Sequence, residues 1–281
     1  MKREAIIDKL TEKITEMLAL FEICVSEEDK LEVVNVAYYD LLAFSQKDPS
    51  SNGNAMYILE SYLSYQAVLM YRLSHLIGKN YDIVLARKIS EITKLNTGIE
   101  IHPSATIGRN FVLDHGIGTV IGETVSIGDN CYLLQSIILG SKSITNNRNE
   151  IRHPQIGNNV EIGGFVRIYG NVSIGDNVKI SPNAVIRNSI PSDTTVVLGC
   201  GYQILKNSNK RKLAYQGYRD EVDCLTLFFN SLEENIQCYI DGMSVDYELW
   251  KDRISIRKEE EKKYRFITLK SPRYEELIIT I

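Results

Sequence analysis

An aliphatic residue recurs every six positions through the middle of this chain. The longest uninterrupted run keeps one register over six units, at Ile156, Ile162, Ile168, Ile174, Ile180 and Ile186. Such a repeat is typical of a parallel β-helix, in which each short strand sends one aliphatic side chain inward and stacked coils share one core. Gly, Asn and Asp follow these strands, and they tolerate the tight backbone of the corners best. Residues 98–200 therefore predict about five to six coils of three hexads each.

The register of the repeat breaks twice. Leu113 and Ile121 are eight residues apart instead of six, and Leu139 and Ile156 are seventeen residues apart. The middle of the second gap, residues 141–150, is polar and carries no repeat. Breaks of this kind in a solenoid often lie on its functional face. We therefore expect a loop to leave the coil at 141–150 and the chemistry to lie near the two breaks.

The segment before the repeat has a different period. Its apolar residues fall at helical spacing and predict four helices, over residues 5–19, 30–45, 57–77 and 81–95. The cluster of Pro, Ser, Asn and Gly at 49–54 predicts a loop between the second and third helices.

The segment after the repeat is harder to interpret. A helix is plausible over residues 221–239, and strands are plausible over 253–257 and 264–269. The whole chain is thus predicted to be an α+β protein with a helical domain, a parallel β-helix and a C-terminal extension of unknown fold, over residues 1–97, 98–200 and 201–281.

Composition excludes several classes of function. Lys and Arg number 32 against 36 Asp and Glu, and this net charge of -4 does not favour nucleic-acid binding. No apolar run approaches the ~20 residues that span a bilayer, and the N-terminus lacks the apolar core of a signal peptide. The five cysteines form no CxxC pair, so neither a disulfide framework nor a zinc site is indicated. We expect a cytoplasmic protein without a metal.

Three of the four histidines lie inside the repeat. His115 is at the first register break, His153 is where the polar loop rejoins the coil, and His102 is near the first strand. An imidazole with a pKa of ~6.5 suits proton transfer when a carboxylate fixes its tautomer. Asp114 adjoins His115, and Glu100 precedes His115 by fifteen residues, which is close to one coil.

Arg152, beside His153, offers a fixed cation for a substrate carboxylate. The residues alone therefore suggest a site built from histidine, acid and arginine. Two other interpretations remain open: that Asp114 and His115 only fill a coil corner, or that the three histidines bind a metal. Their spacings match no compact ligand motif, so the metal interpretation is the weaker of these.

The motifs at these positions resemble serine O-acetyltransferase. They are Asp114-His-Gly followed by Ile-Gly-Glu-Thr124, then Leu134-Gln-Ser, then Arg152-His-Pro154, with Lys47-Asp-Pro49 in the helical lead-in. The likeness covers about residues 45–198. That family makes O-acetyl-L-serine from L-serine and acetyl-CoA, and the resemblance implies direct attack of the serine hydroxyl on the thioester.

The resemblance also implies roles for individual residues. It implies that His115 is the general base and that Glu100 orients it. The substrate ammonium would be bound by Asp48 and Asp114, and the substrate carboxylate by Arg152 and His153. It implies contacts to acetyl-CoA at Gly140, Lys142, Gly163 and Gly164. The implied fold is a left-handed β-helix that forms a homotrimer or a dimer of trimers, with sites between subunits.

The sequence departs from the family pattern at three places that bear on function. The loop after Leu139 is about three residues longer than usual, and Phe165 stands where the family has Gly. The phenylalanine either narrows the acyl-CoA groove or points elsewhere. The third departure is a tail of about 80 residues that ends in Ile281. In many serine acetyltransferases a terminal isoleucine docks into O-acetylserine sulfhydrylase, so that enzyme is a candidate partner.

Three functions therefore remain in competition. The first is O-acetylation of L-serine for cysteine biosynthesis. The alternative is O-acetylation of another hydroxyl acceptor, such as a related amino acid or a sugar. The third is a scaffold that has kept the coil and lost CoA binding.

Overall fold

The structure is a computed structural model that describes residues 3–143, 150–197, 202–205, 213–221, 223–232, 235–259, 264–274 and 276–281. The chain forms two compact units, residues 1–198 and 199–281. The described part of the first unit opens with five α-helices: α1 (Arg3–Leu20), α2 (Glu27–Lys47), α3 (Ala55–Ser61), α4 (Leu63–Asn80) and α5 (Ile83–Thr97). None of the helices in the described ranges combines the length and apolar character needed to cross a membrane.

The predicted helix over 57–77 is interrupted at Tyr62. The backbone of this residue is extended, and its N–H caps α3 by donating to the Ile58 carbonyl. The predicted loop at 49–54 contains a short 3-10 turn, Pro49–Ser51, in which the Ser50 N–H donates to the Asp48 side chain. Capping at Tyr62 therefore divides what the apolar pattern presents as one helix. The Tyr62 hydroxyl donates to the Asp48 carboxylate, so the two residues are in direct contact.

Three parallel sheets form the β-helix that the six-residue repeat predicts. Sheet A contains β1 (Glu100–Ile101), β4 (Val120–Ile121), β7 (Ile138–Gly140), β10 (Arg167–Tyr169) and β13 (Val185–Ile186). Sheet B contains β2 (Thr106–Ile107), β5 (Ser126–Ile127), β8 (Gln155–Ile156) and β11 (Ser173–Ile174). Sheet C contains β3 (Val112–Leu113), β6 (Tyr132–Leu133), β9 (Glu161–Ile162), β12 (Lys179–Ile180) and β14 (Thr195–Val196).

The core of the coil is a set of aliphatic ladders. In sheet A the strand pairings stack one aliphatic residue on the next through all five coils, at Ile101, Ile121, Leu139, Ile168 and Ile186. All five are buried. Full burial of such a side chain contributes roughly 1.5–3 kcal/mol, so a short strand of two residues suffices when its neighbours stack on it. The loop expected at 141–150 falls between β7 and β8, and residues 144–149 of it lie outside the described residues.

The edge between sheets B and C is held by a second ladder, made of polar side chains. The Asp129 carboxylate accepts from the Arg109 N–H at 2.7 Å, and the Asn158 amide oxygen accepts from the Asp129 N–H at 2.8 Å. Asp176 does the same for the Asn158 N–H at 2.6 Å. A Cβ at Gly108 would lie 2.3 Å from the Asp129 carboxylate, so the close stacking requires glycine there.

A buried ion pair joins the helices to the first coil. The Arg72 guanidinium on α4 donates to the Asp40 carboxylate on α2 at 2.9 and 3.2 Å. It also donates to the Ile107 and Gly108 carbonyls, and Asp40 accepts from the Phe111 N–H at 2.9 Å. All polar atoms of the pair thus face a partner, which fixes α2 and α4 against the coil.

The second unit consists of two antiparallel sheets around its own core. One contains β15 (Tyr202–Leu205), β23 (Glu276–Thr280), β22 (Phe266–Lys270), β18 (Gln237–Ile240) and β19 (Met243–Ser244). The other contains β16 (Tyr215–Asp220), β17 (Cys224–Phe229), β21 (Arg253–Arg257) and β20 (Glu248–Leu249).

One prediction for the second unit is wrong and two are confirmed. The helix expected over 221–239 is absent, because β17 and β18 occupy that segment. In β17 the buried residues alternate, at Leu225, Leu227 and Phe229, which is the period of a strand. The strands expected over 253–257 and 264–269 are present as β21 and β22.

Candidate active site

Most of the predicted site residues lie on two edges of the coil; the exceptions are Asp48, which follows α2, and Glu100, which is in β1. The CA edge is the set of corners between sheet C and sheet A, and it carries Asp114 and His115 between β3 and β4. The AB edge is the set of corners between sheet A and sheet B. It carries Arg152 and His153, which immediately precede β8. Sheet A separates the two edges.

On the CA edge, three predicted residues line one open cleft. The cleft has a volume of about 530 Å³, and it is lined by Asp48, Asp114 and His115 together with Ser50, Tyr62 and their neighbours. His115 has a φ of +57° in this corner, which is two residues longer than a hexad. Its N–H donates to the Asp114 carboxylate at 2.8 Å. The cleft is thus lined by an imidazole and two carboxylates, of which Asp114 and His115 come from the corner and Asp48 from the segment after α2.

The Asp48 carboxylate is held from two sides. It accepts from the Tyr62 hydroxyl at 2.7 Å and from the Ser50 N–H at 2.9 Å, and the Ser50 hydroxyl lies 2.8 Å from it. Burial raises the pKa of Asp48, but the hydrogen bonds from Tyr62 and Ser50 and the nearby His115 outweigh it and leave the pKa below its usual value. Asp48 is therefore ionised at neutral pH.

The Asp114 carboxylate has a tyrosine partner of its own. Its second oxygen accepts from the Tyr132 hydroxyl at 2.6 Å, while its first holds the His115 N–H. Burial and the Asp114 carboxylate raise the pKa of Tyr132, so this phenol stays protonated as a donor. The Lys47 ammonium lies over the Tyr132 ring, 5.3 Å from its centroid.

On the AB edge, Thr124 organises the two residues of the Arg-His-Pro motif. Its hydroxyl accepts from the Arg152 N–H at 3.0 Å and from the His153 N–H at 3.2 Å. Its own N–H donates to His153 Nδ1 at 3.2 Å, which assigns the ring proton to Nε2. The ring lies against Gly122, where a Cβ would come within 2.3 Å of it.

His102, in the corner between β1 and β2, also lies on the AB edge, and charged groups lie near it and His153. The Arg152 guanidinium donates to the Glu123 carboxylate. Burial, with Arg152 close by, lowers the pKa of His153, and burial together with Arg87 lowers the pKa of His102. Both imidazoles are therefore neutral at pH 7.

Glu100 is the predicted site residue whose contacts differ most from the expectation. Its carboxylate accepts from Arg87 at 3.1 Å and from Lys94 at 2.7 Å. Within the described residues no hydrogen bond or ion pair joins it to His115. Burial raises the pKa of Glu100, but Lys94 and Arg87 outweigh it and lower the pKa below its usual value. The orienting role of Glu100 remains a prediction.

The candidate acetyl-CoA contacts divide between the same two edges. Gly163 and Gly164 follow β9 on the CA edge, where a Cβ at Gly164 would lie 3.2 Å from the Gln135 amide. Gly140 ends β7 on the AB side, and Lys142 is exposed just beyond it.

Phe165 lies on the CA edge, beside the two glycines that follow β9. It has a φ of +64° and is 45% exposed. Its ring therefore projects from a corner where Gly or Asn is the usual residue.

The described ranges contain no group of three or more His, Cys, Asp or Glu side chains that could hold a metal ion. His102, His115 and His153 do not form such a group.

Comparison with known proteins identifies the family. Residues 95–197 match the family model described as the GMPPB C-terminal domain. The chain is 42% identical over 166 residues to serine acetyltransferase of Staphylococcus xylosus, an alignment that covers 59% of this chain and 74% of the relative. This chain belongs to the serine acetyltransferase family. It is thus a CoA-dependent O-acyltransferase.

Two solved serine acetyltransferases share the fold. Isoform 3 from Entamoeba histolytica, in complex with cysteine, has a TM-score of 0.58 and 38% identity over 63% of this chain and 62% of that chain. The soybean enzyme, in complex with serine, has a TM-score of 0.55 and 30% identity over 63% of this chain and 68% of that chain. The family model ends at residue 197, so the second unit lies outside it.

Sequence reasoning missed several residues that shape this serine acetyltransferase site. Tyr62 and Tyr132 carried no motif signal, since their roles depend on where two carboxylates from distant segments meet. Glu123 and Thr124 stood inside the matched Ile-Gly-Glu-Thr motif. That Glu123 and Thr124 contact Arg152 and His153 can be seen only in the folded coil, because the two pairs are almost thirty residues apart in sequence.

Proposed function

We propose that this chain acetylates the hydroxyl of L-serine with acetyl-CoA, with His115 as the general base. The observation that carries the proposal is the convergence of Asp48, Asp114 and His115 on one cleft. Two carboxylates can bind the ammonium group of a substrate. An imidazole beside them can remove a proton from a hydroxyl of the same substrate molecule.

The proposed reaction is a single acyl transfer. His115 takes the proton of the serine hydroxyl as the oxygen attacks the thioester carbonyl. The new C–O bond forms, the C–S bond breaks, and the proton passes from His115 to the CoA sulfur. Holding both reactants in one cleft supplies much of the rate enhancement, because it makes the encounter intramolecular.

We further propose that each site is completed by a second copy of the chain. Arg152 and His153 are the groups assigned to the substrate carboxylate, yet they lie on the AB edge and His115 lies on the CA edge. A homotrimer of left-handed coils, as the family resemblance implies, would bring the CA edge of one copy against the AB edge of the next. The separation of the two edges in one chain supports this arrangement.

A second acceptor class is favoured by one observation. Phe165 projects from the CA edge with 45% of its surface exposed, in a backbone conformation that usually takes Gly or Asn. A bulky ring here alters the surface of the CA edge, the edge that also carries His115. An O-acetyltransferase for a related amino acid or a sugar is therefore the alternative.

Release of free thiol from acetyl-CoA by the purified protein distinguishes these functions. The acceptors to compare are L-serine, L-homoserine, L-threonine and a sugar series, with a reaction lacking acceptor as the control. Release that depends on L-serine supports the proposal. A strong preference for a sugar would replace it with the alternative, and a chain that fails to bind acetyl-CoA by calorimetry would be a scaffold.

The hypothesis of a sulfhydrylase partner concerns Ile281. Its N–H donates to the Arg265 carbonyl at 3.0 Å, and its side chain packs against the core of the second unit. Docking through Ile281 would therefore require the end of β23 to release it. A pull-down with O-acetylserine sulfhydrylase, comparing the full chain with a form lacking Ile281, tests the hypothesis, and identical retention would remove it.

A further inference from the structure

Two tyrosines hold the two carboxylates of the cleft in the same way. The Tyr62 hydroxyl donates to Asp48 at 2.7 Å, and the Tyr132 hydroxyl donates to Asp114 at 2.6 Å. They come from different parts of the fold, since Tyr62 lies between α3 and α4 and Tyr132 lies in β6 of the coil. Both bonds are in the short range expected for a hydroxyl that donates to an ionised acid.

We propose that Tyr62 and Tyr132 are positioning residues for the acceptor, which hold Asp48 and Asp114 in the orientation that binds its ammonium group. This inference rests on the proposed function, because it assumes that these two carboxylates bind the ammonium. It concerns residues that act through the carboxylates and do not touch the reacting atoms.

The chemistry of a phenol explains why tyrosine suits this role. A Lys or Arg partner would orient a carboxylate equally well, but it would also neutralise the charge that attracts the ammonium. A neutral hydroxyl occupies one lone pair and leaves the negative charge in place. Each carboxylate therefore keeps acceptor capacity for a cation.

The position of Lys47 supports the same interpretation. Its ammonium, next to Asp48 in sequence, lies over the Tyr132 ring at 5.3 Å. No ion pair joins Lys47 to Asp114 or Asp48 in the part of the chain that the structure describes. The Tyr132 ring thus provides a cation–π contact for Lys47, while its hydroxyl orients Asp114.

Both rings also pack, so the test must remove only the hydroxyls. Tyr62 contacts the Phe44 and Tyr57 rings edge to face, at centroid distances of 5.5 and 5.6 Å. Tyr62→Phe and Tyr132→Phe keep these packing contacts and the cation–π contact. The matched control is Tyr65→Phe on α4, which loses a buried hydrogen bond from its hydroxyl to the Ala37 carbonyl. Within the described residues no carboxylate accepts a hydrogen bond from Tyr65.

Steady-state kinetics on the full chain provide the readout. We expect each site variant to raise KM for L-serine by ~10-fold, the usual scale for a lost bond to a charged group, while KM for acetyl-CoA stays within about 2-fold. Tyr65→Phe should leave the ratio of the two KM values unchanged, even if its Tm falls. A purely structural role for the tyrosines would change both KM values together or neither.

Asp114→Asn, measured alongside these variants, distinguishes a failure of the ammonium site from a failure of the inference about the tyrosines. If Asp114→Asn raises KM for L-serine and neither tyrosine variant does, the carboxylate assignment holds and the inference about the tyrosines is overturned. If Asp114→Asn itself leaves KM for L-serine unchanged, the ammonium site of the proposed function fails, and the inference fails with it.

Discussion

His115 and His153 lie on different edges of the coil within one chain. His115 occupies the corner between β3 and β4, and His153 is held by Thr124 and Gly122 at the corner between β4 and β5. Under the proposed function both residues contact the same acceptor molecule. Their separation by sheet A is the reason we propose that two copies of the chain form each site.

Removal of the proposed base should act on turnover. We expect His115→Ala to lower kcat by ~10²–10⁴, the range for a positioned general base. The change in Tm should be small, because the ring faces an open cleft. Unchanged kcat at saturating serine would show that His115 only fills a corner.

Removal of the proposed carboxylate ligand should act on acceptor binding. We expect Arg152→Ala to raise KM for L-serine by ~10-fold or more, since a charge-assisted bond is lost, with little effect on KM for acetyl-CoA. Glu123→Gln is the control for the partner of Arg152, because it loosens the guanidinium without removing it. Equal changes in both KM values for Arg152→Ala would argue against its role.

The buried ion pair between α2 and α4 should matter for stability alone. Arg72→Ala leaves the fully buried Asp40 carboxylate without its cation, so the free energy of unfolding should fall by ~3–5 kcal/mol. Denaturant titration measures this loss. A companion variant, Arg72→Ala with Asp40→Ala, should recover part of it. A loss below about 1 kcal/mol in the single variant would contradict the account.

The two histidines of the AB edge should make stability depend on pH. Burial lowers the pKa of both His102 and His153. The unfolded chain, with an ordinary histidine pKa of ~6.5, therefore binds protons first as the pH falls. The free energy of unfolding should be constant above ~6.5 and should decrease toward pH 5.5. Replacing both residues with Gln should flatten this slope, and an identical slope would refute the assignment.

The parallel coil could be predicted because its determinants are local and repeated. Each hexad buries one aliphatic residue against the coil before it, so the sequence period is the structural period. The break of the 57–77 helix could not be predicted in this way, because it depends on the extended backbone of Tyr62 and its capping contacts. In β17, alternation over six residues was too short to outweigh the helical pattern around it.

The composition of the site was predictable from motifs, but its geometry was not. The separation of fifteen positions between Glu100 and His115 suggested that the two residues lie close together in neighbouring coils. In the structure Ile101 pairs with Ile121, so the first coil advances by twenty residues and Glu100 lies on a strand of sheet A. There it meets Arg87 and Lys94 of α5, two partners that no repeat could reveal.

Mixing two defective variants tests the shared site most directly. His115→Ala and Arg152→Ala chains, unfolded together and refolded at equal amounts, should recover about a quarter of the wild-type kcat/KM for L-serine, because one site in four combines an intact CA edge with an intact AB edge. Each variant refolded alone is the control. Activity no higher than the mean of the two controls, in oligomers shown to be mixed, would place the whole site within one chain and contradict the account.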